Sequence, residues 1–190
     1  MKFISTNIIE LKRELSDLDI FALDFIRILR KHTNYVIVSG YVSILLGRAR
    51  VSEDIDVIIP KMDFPRFSYL LKELIKHGFY CLNAENDLEI YDYIKNKIPI
   101  RFAEKDMVIP NVELKIAKNR IDEIALKNTI TVRLKKDNLL ISELEMQIAF
   151  KEVVLKSPKD IEDARHIRNI AGKHLNSVLI KKYKGMLRGF

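Results

Sequence analysis

The spacing of apolar residues changes several times along this chain, and each change marks an element. Across residues 6–31 Ile20, Leu23, Ile26, Ile28 and Leu29 recur at three-to-four spacing, which predicts a helix with Thr6 as its cap and a kink near Ser16. Residues 35–38 are uncharged and rich in β-branched side chains and end at Ser39-Gly40, the pattern of a buried strand entering a tight turn. A short helix through Leu46 follows, closed by Gly47, and after the basic loop Arg48-Ala49-Arg50 comes a strand over residues 54–59 stopped by Pro60. Phe67, Leu70, Leu71, Leu74 and Ile75 give residues 64–77 the stripe of an amphipathic helix ending at Gly78. Residues 79–82 read as a strand, a polar patch follows, and residues 98–102 and 111–116 read as strands. Residues 130–134 and 139–141 pair as a hairpin. The last third is helical: residues 143–155 capped by Ser142, then a helix opened by Ser157-Pro158 that runs to Ala171, then residues 175–187. Strands concentrated in the middle and helices at the end predict an α+β plan.

A length of 190 residues with 48% apolar content is enough for one real core, and with 6 glycines and 5 prolines there is no linker-like or low-complexity stretch. The first twenty residues carry Lys2, Glu10, Lys12, Arg13, Glu14, Asp17 and Asp19, which excludes a signal-peptide core. The other apolar runs are too short to span a bilayer, so the expected location is cytoplasmic, with no membrane partner. Cys81 is the single cysteine and has no thiol partner for a disulfide or a metal cluster. The formal charge of +7 makes polyanions plausible partners. Lys173, His174, Lys181, Lys182, Lys184 and Arg188 can form either a phosphate-backbone contact or a solvated helix face.

Candidate chemistry lies in Ser39-Gly40-Tyr41-Val42-Ser43, Gly47-Arg48-Ala49-Arg50 and Ser52-Glu53-Asp54-Ile55-Asp56-Val57. A glycine turn after a buried strand lets the backbone approach a ligand, and the next helix presents free N–H groups to a phosphate, with Ser39 and Ser43 as further donors. On a strand Asp54 and Asp56 project to one side, about 6 to 7 Å apart, while Ile55 and Val57 face the core. A hard divalent cation relieves the repulsion of two such carboxylates and keeps positions open for phosphate oxygens. Lys151 borders a narrow polar strip beside Gln147 on a helix packed on both sides, the position of a residue facing a cleft. Asp160 and Asp163 share a face of the next helix, where they orient Lys151 or Arg165 or are simply solvated.

This constellation resembles the signature of the nucleotidyltransferase superfamily related to DNA polymerase beta, in which a Gly-Ser or Gly-Gly turn is followed about a dozen residues later by an Asp-x-Asp pair. More narrowly, it is similar to the AbiEii-like branch, the toxin side of some bacterial and archaeal toxin–antitoxin pairs. That branch implies a Lys on one C-terminal helix and a Lys-Asp-x-x-Asp element on the next, matched by Lys151 and Lys159-Asp160-Ile161-Glu162-Asp163. The resemblance spans residues 35–60, 110–116 and 143–171. It implies a nucleotidyltransferase fold: a central mixed sheet flanked by helices over residues 1–142, with residues 143–190 as a helical region packed on it. The implied activity is metal-dependent transfer of a nucleoside monophosphate from a nucleoside triphosphate such as ATP to an acceptor. RNA, such as a transfer RNA end, is the favoured acceptor, with a protein or a small molecule as others and a cognate antitoxin as partner. Asp54 and Asp56 would hold magnesium or manganese, and Glu113 would hold a second ion or act as base. Ser39, Gly40, Ser43, Ser52, Asp160 and Asp163 belong to the nucleotide-binding set, and Arg50 and Lys151 would meet charge on phosphate oxygens. Two residues depart from the pattern. Tyr41 stands where Ser or Gly is usual and is expected to crowd the phosphate cradle; Glu113 stands where a later strand usually carries Asp. The alternative they motivate is a catalytically inactive nucleotide- or RNA-binding protein of the same fold.

Overall fold

The computed structural model of the protein describes residues 1–189. Its strands are β1 (Lys2–Ser5), β2 (Ile8–Leu11), β3 (Val36–Val38), β4 (Asp54–Ile59), β5 (Phe79–Cys81), β6 (Ile100–Glu104), β7 (Asn111–Ile116), β8 (Thr129–Leu134) and β9 (Asp137–Ser142). They form one nine-stranded mixed sheet in the order β1-β2-β8-β9-β3-β4-β7-β6-β5. At its centre β4 is antiparallel to β3 and parallel to β7, and β7 is antiparallel to β6. The helices are α1 (Asp17–Leu29), α2 (Ser39–Leu45), α3 (Phe64–Lys76), α4 (Asp87–Lys95), α5 (Arg120–Lys127), α6 (Leu144–Phe150), α7 (Pro158–Ala171) and α8 (Ser177–Leu187). No helix among the described residues is long and apolar enough to cross a membrane.

Strand alternation divides the central sheet into two unlike faces. Ile37, Ile55, Val57, Ile59, Val112, Leu114 and Ile116 point to one side and join Phe21, Phe25, Phe67, Leu70 and Leu74 of α1 and α3 in the main core. Each of these large side chains contributes about 1.5–3 kcal/mol by leaving water. The other side carries Val36, Val38 and Ile58, covered by Ala125 of α5. Its remaining positions, Asp54, Asp56, Asn111, Glu113 and Lys115, are polar. The division therefore leaves the carboxylates of β4 and β7 together on the polar part of one face of the sheet.

Several expectations meet a different outcome. Residues 6–31 are not one helix: β2 pairs antiparallel with β1, the strand at the sheet's edge, and parallel with β8. Ile9 and Leu11 face inward with period two, a pattern that the apolar run across residues 8–11 hides. The helix starts only after Ser16, which is a cap and not a kink. Its hydroxyl accepts from the Asp19 N–H and the Asp19 carboxylate accepts from the Ser16 N–H, a reciprocal capping box. Ser142 ends β9 and does not cap α6; its Oγ accepts from Gln147 Nε2 at 2.5 Å. The polar patch contains α4, and α5 follows β7; Asn86 and Asn119 cap these two short, charged helices. Helix α6 runs into a π-helical turn over Lys151–Leu155 that closes at Lys156 in the left-handed conformation.

Candidate active site

Strand register builds the acidic part of the site. Asp56 lies beside Val38 of β3 on one side and Glu113 of β7 on the other, and Glu113 lies beside Arg101 of β6. Arg101, Glu113, Asp56 and Val38 therefore form a row across four strands, with Asp54 and Lys115 in the neighbouring rows. Lys115 Nζ sits 2.6 Å from Asp56 Oδ1 and 2.6 Å from Glu113 Oε1. Arg101 donates to Glu113 Oε2 from Nε at 3.1 Å and from Nη2 at 2.8 Å. Burial pushes the Asp56 carboxyl above the usual range, opposed by Lys115 and reinforced by Asp54 and Glu113. Burial also raises Glu113, but the bonds from Lys115 and Arg101 outweigh it and hold Glu113 below the usual range. Lys115 goes up: its burial favours the neutral amine, and the two carboxylates overcome that.

A second cluster stands next to this row. Ser39 follows Val38 directly and takes φ +65°, a left-handed conformation uncommon for a residue with a side chain and characteristic of strained functional turns. The glycine required by close approach is the next residue. A Cβ on Gly40 would lie 3.1 Å from Nη2 and 3.3 Å from Cζ of Arg50, so the guanidinium group rests on the bare backbone at the start of α2. Arg50 Nη1 donates to Asp163 Oδ2 at 2.6 Å, Lys151 Nζ donates to the same oxygen at 2.7 Å, and Arg48 Nη1 bonds to Asp163 Oδ1. Lys151 also lies 3.6 Å from Asp160 Oδ1. Three cations thus surround one carboxylate that is 0% exposed. Arg48 and Arg50 keep 19% and 14% of their side-chain surface in solvent, whereas Lys151 keeps 1%. Burial is the main cause that pushes the Lys151 amine down to about 8; Asp160 opposes it, and Arg50 and Arg48 add to it.

The sequence-derived residues therefore fall into two groups with different surroundings. Asp54 is half-buried, pairs with no cation among the described residues and takes a 3.4 Å contact from the Ser52 hydroxyl, which places Ser52 against the acid pair. Asp163 and Lys151 meet each other, and Ser157 caps α7: its hydroxyl accepts from the Asp160 N–H and donates to the Asp160 carboxylate. Arg165 plays no part in this cluster and pairs with Glu162. Ser43 is fully buried, and its hydroxyl has no hydrogen-bond partner among the described residues. Tyr41 does not crowd the cradle. It is fully buried, and its hydroxyl donates to Asp19 Oδ1 at 2.8 Å; Arg13 also bonds to Oδ1, and the Ser16 hydroxyl donates to Oδ2. Lys151 faces the interior and not an open cleft, because the π-helical turn directs it at Asp163. Glu113 lies beside Asp56 in register, and among the described residues no three acidic, His or Cys side chains are grouped as around one ion. Both Glu113 oxygens are taken by Lys115 and Arg101.

Sequence reasoning placed Arg48 in the candidate loop but gave it no role, and it missed Arg101 and Lys115. Arg48 had a signal, since it stands two residues from Arg50 in an extended loop. Lys115 had a weaker one, two residues from Glu113 on the same strand, and Arg101 had none until the register of β6 on β7 was known. In the basic C-terminal segment, Lys184 pairs with Glu152 and the His174 ring stacks on Phe3 at 4.4 Å. An apolar cleft lined by Val38, Ser39, Ile58, Ile121, Met146 and Phe150 opens beside the row.

No protein-family model matches the sequence, and no curated protein matches it either. Solved structures do. An antigenic nucleotidyltransferase-like protein from Paracoccidioides brasiliensis superposes with a TM-score of 0.52 at 16% identity, covering 91% of this chain and 88% of that one. ANT(2")-Ia, solved in complex with adenylyl-2"-tobramycin, superposes with a TM-score of 0.51 at 11% identity over 92% of this chain and 98% of that one. The chain has the nucleotidyltransferase fold.

Proposed function

We propose that this chain is a nucleotidyltransferase that moves a nucleoside monophosphate from a nucleoside triphosphate to an acceptor hydroxyl. The observation that carries this reading is that Asp56 of the Asp54–Asp56 pair lies in register with Val38 at the end of β3, while Arg50, which shares Asp163 with Arg48, rests on Gly40 two residues further along the chain. Two carboxylate groups that keep oxygens free of cations and a pair of partly exposed guanidinium groups suit opposite ends of a metal–triphosphate. The donor set fits one ion of the magnesium class, since Asp54 has no cation partner and Asp56 Oδ2 accepts no hydrogen bond among the described residues. Such an ion, when bound, would draw charge from the α-phosphate oxygens.

Arg48 and Arg50 bind the β- and γ-phosphates, and the α2 N-terminus beyond Ser39 adds N–H donors. Lys151 and Asp163 are positioning residues: they hold the two guanidinium groups at the mouth of the site. The apolar cleft beside Ser39 takes the base. The acceptor oxygen forms its bond to the α-phosphorus as the bond to the bridging oxygen breaks, and pyrophosphate leaves with that electron pair. The acceptor's proton passes to water, because both oxygens of Glu113 are already engaged. Positioning and electrostatics supply the rate enhancement.

The ANT(2")-Ia complex, in which an adenylyl group is joined to tobramycin, supports nucleotidyl transfer on this fold. The contact between Lys151 and the Lys-Asp-x-x-Asp element at Asp163 supports the AbiEii-like reading, with an RNA acceptor, an antitoxin partner and residues 143–190 as the helical region of that branch. The non-catalytic reading also has an observation in its favour, the Lys115 ammonium lying between Asp56 and Glu113. The deciding test incubates the protein with each α-labelled nucleoside triphosphate, Mg²⁺ and total RNA, beside the Asp54→Ala/Asp56→Ala variant. Label on RNA or protein that the variant loses supports transfer; triphosphate binding without label supports the non-catalytic reading.

A further inference from the structure

We propose that Lys115 is a resident cation: it holds the position between Asp56 and Glu113, so the acidic face takes a single divalent ion on Asp54 and Asp56, and not a pair bridged through Glu113. This rests on the reading of that face as a metal-dependent transfer site, and it names how many ions the site admits and what sets the number.

Three observations carry it. The first is place. Lys115 Nζ lies 2.6 Å from an oxygen of each carboxylate, on the line joining strands β4 and β7. Paired metal ions sit about 3.5–4 Å apart and bridge carboxylates of this kind. A small divalent ion takes oxygen ligands at about 2.0–2.1 Å, so it cannot share the gap with an ammonium group already in contact with both sides.

The second is saturation. Glu113 Oε1 receives Lys115 while Oε2 receives Nε and Nη2 of Arg101, so neither oxygen is open, and Oε1, which shares Lys115 with Asp56, is freed only when Lys115 leaves. Asp56 gives Lys115 one oxygen and keeps the other, and Asp54 gives it neither. The asymmetry separates one open ion position from one filled position on the same face.

The third is how Lys115 is held. It does not come from a loop: it is two residues beyond Glu113 on β7, a strand hydrogen-bonded to β4 on one side and β6 on the other. The side-chain alternation that buries Leu114 and Ile116 obliges residues 113 and 115 to share the acidic face. Lys115 also removes the repulsion that Asp56 and Glu113 would exert on each other as register neighbours, as a second metal ion would.

The experiment counts Mn²⁺ ions bound per chain by electron paramagnetic resonance of the free ion during titration with Mn²⁺ alone. The expected values are one for the unmodified protein, two for Lys115→Met, and one again for Lys115→Met/Glu113→Gln. If the methionine variant fails to fold, Lys115→Gln replaces it. Glu113→Gln by itself gives an independent reading, with the expected value unchanged at one. A value of zero or two in the unmodified protein, one in the folded Lys115 variant, or loss of the ion in Glu113→Gln overturns the proposal. None of these counts depends on turnover, so the proposal can fail while α-label transfer is intact, and the reverse.

Discussion

Asp163 is a residue whose removal the structure makes costly. It is 0% exposed and accepts from Arg48, Arg50 and Lys151. Asp163→Asn keeps the shape and deletes the charge. Arg48 and Arg50 reach solvent and can rehydrate, but the 1%-exposed Lys151 ammonium is left with only Asp160 at 3.6 Å. Stranding one partner of a buried ion pair costs about 3–5 kcal/mol. For a chain of this size each kcal/mol moves the melting temperature by about 2–4 °C, so the expected drop is about 6–20 °C. The assay is urea unfolding at pH 7 followed by circular dichroism, with thermal melting beside it. Adding Lys151→Met to Asp163→Asn removes the stranded charge and is expected to recover about 2 kcal/mol, a coupling typical of residues in direct contact. An Asp163→Asn variant within 1 kcal/mol of the parent, or a double variant that recovers nothing, would refute the argument.

Three further outcomes follow from the same geometry. Tyr41→Phe removes one hydroxyl bond to the buried Asp19 and should cost about 1.5–3 kcal/mol in urea unfolding, with triphosphate affinity unchanged; weaker binding would mean that Tyr41 reaches the cradle after all. Burial alone would raise the Asp19 carboxyl, but bonds from Arg13, Ser16 and Tyr41 hold it below its usual value. Its contribution is therefore complete above the unfolded pKa of about 3.9 and is lost as pH falls through the folded value, so Asp19→Asn should flatten the acid decline of stability below about pH 4. Arg48→Ala and Arg50→Ala should each weaken binding of a fluorescent triphosphate analogue by about 10- to 150-fold, the range of a charge-assisted hydrogen bond, and an unchanged Kd for both would place the phosphates elsewhere.

Some of this was legible in the sequence because local pattern and final surroundings agree. Strand β4 ends at Pro60, alternates Asp54 and Asp56 against Ile55 and Val57, and occupies residues 54–59 as read. Helix α7 opens at Ser157-Pro158 and stops at Gly172 for capping reasons that act within a few residues. Strand β2 was not legible, because its partner β8 lies more than a hundred residues away and its apolar run fits a helix as well as a strand. The same limit applies inside the site. Asp54 and Asp56 announce themselves by spacing, but the Lys115 and Arg101 grip on Glu113 exists only through the register of β6, β7 and β4. Gly40 was read as space for a phosphate; its missing side chain accommodates the Arg50 guanidinium, a contact made from a loop ten residues on.

The most direct measurement is a crystal structure of the protein soaked with Mn²⁺ and a non-hydrolysable nucleoside triphosphate analogue, with anomalous scattering used to locate the metal. The account predicts an anomalous peak in contact with Asp54 and Asp56 and a triphosphate whose outer phosphates touch Arg48 and Arg50. A metal peak away from both aspartates, or a triphosphate bound on another face of the sheet, would contradict it.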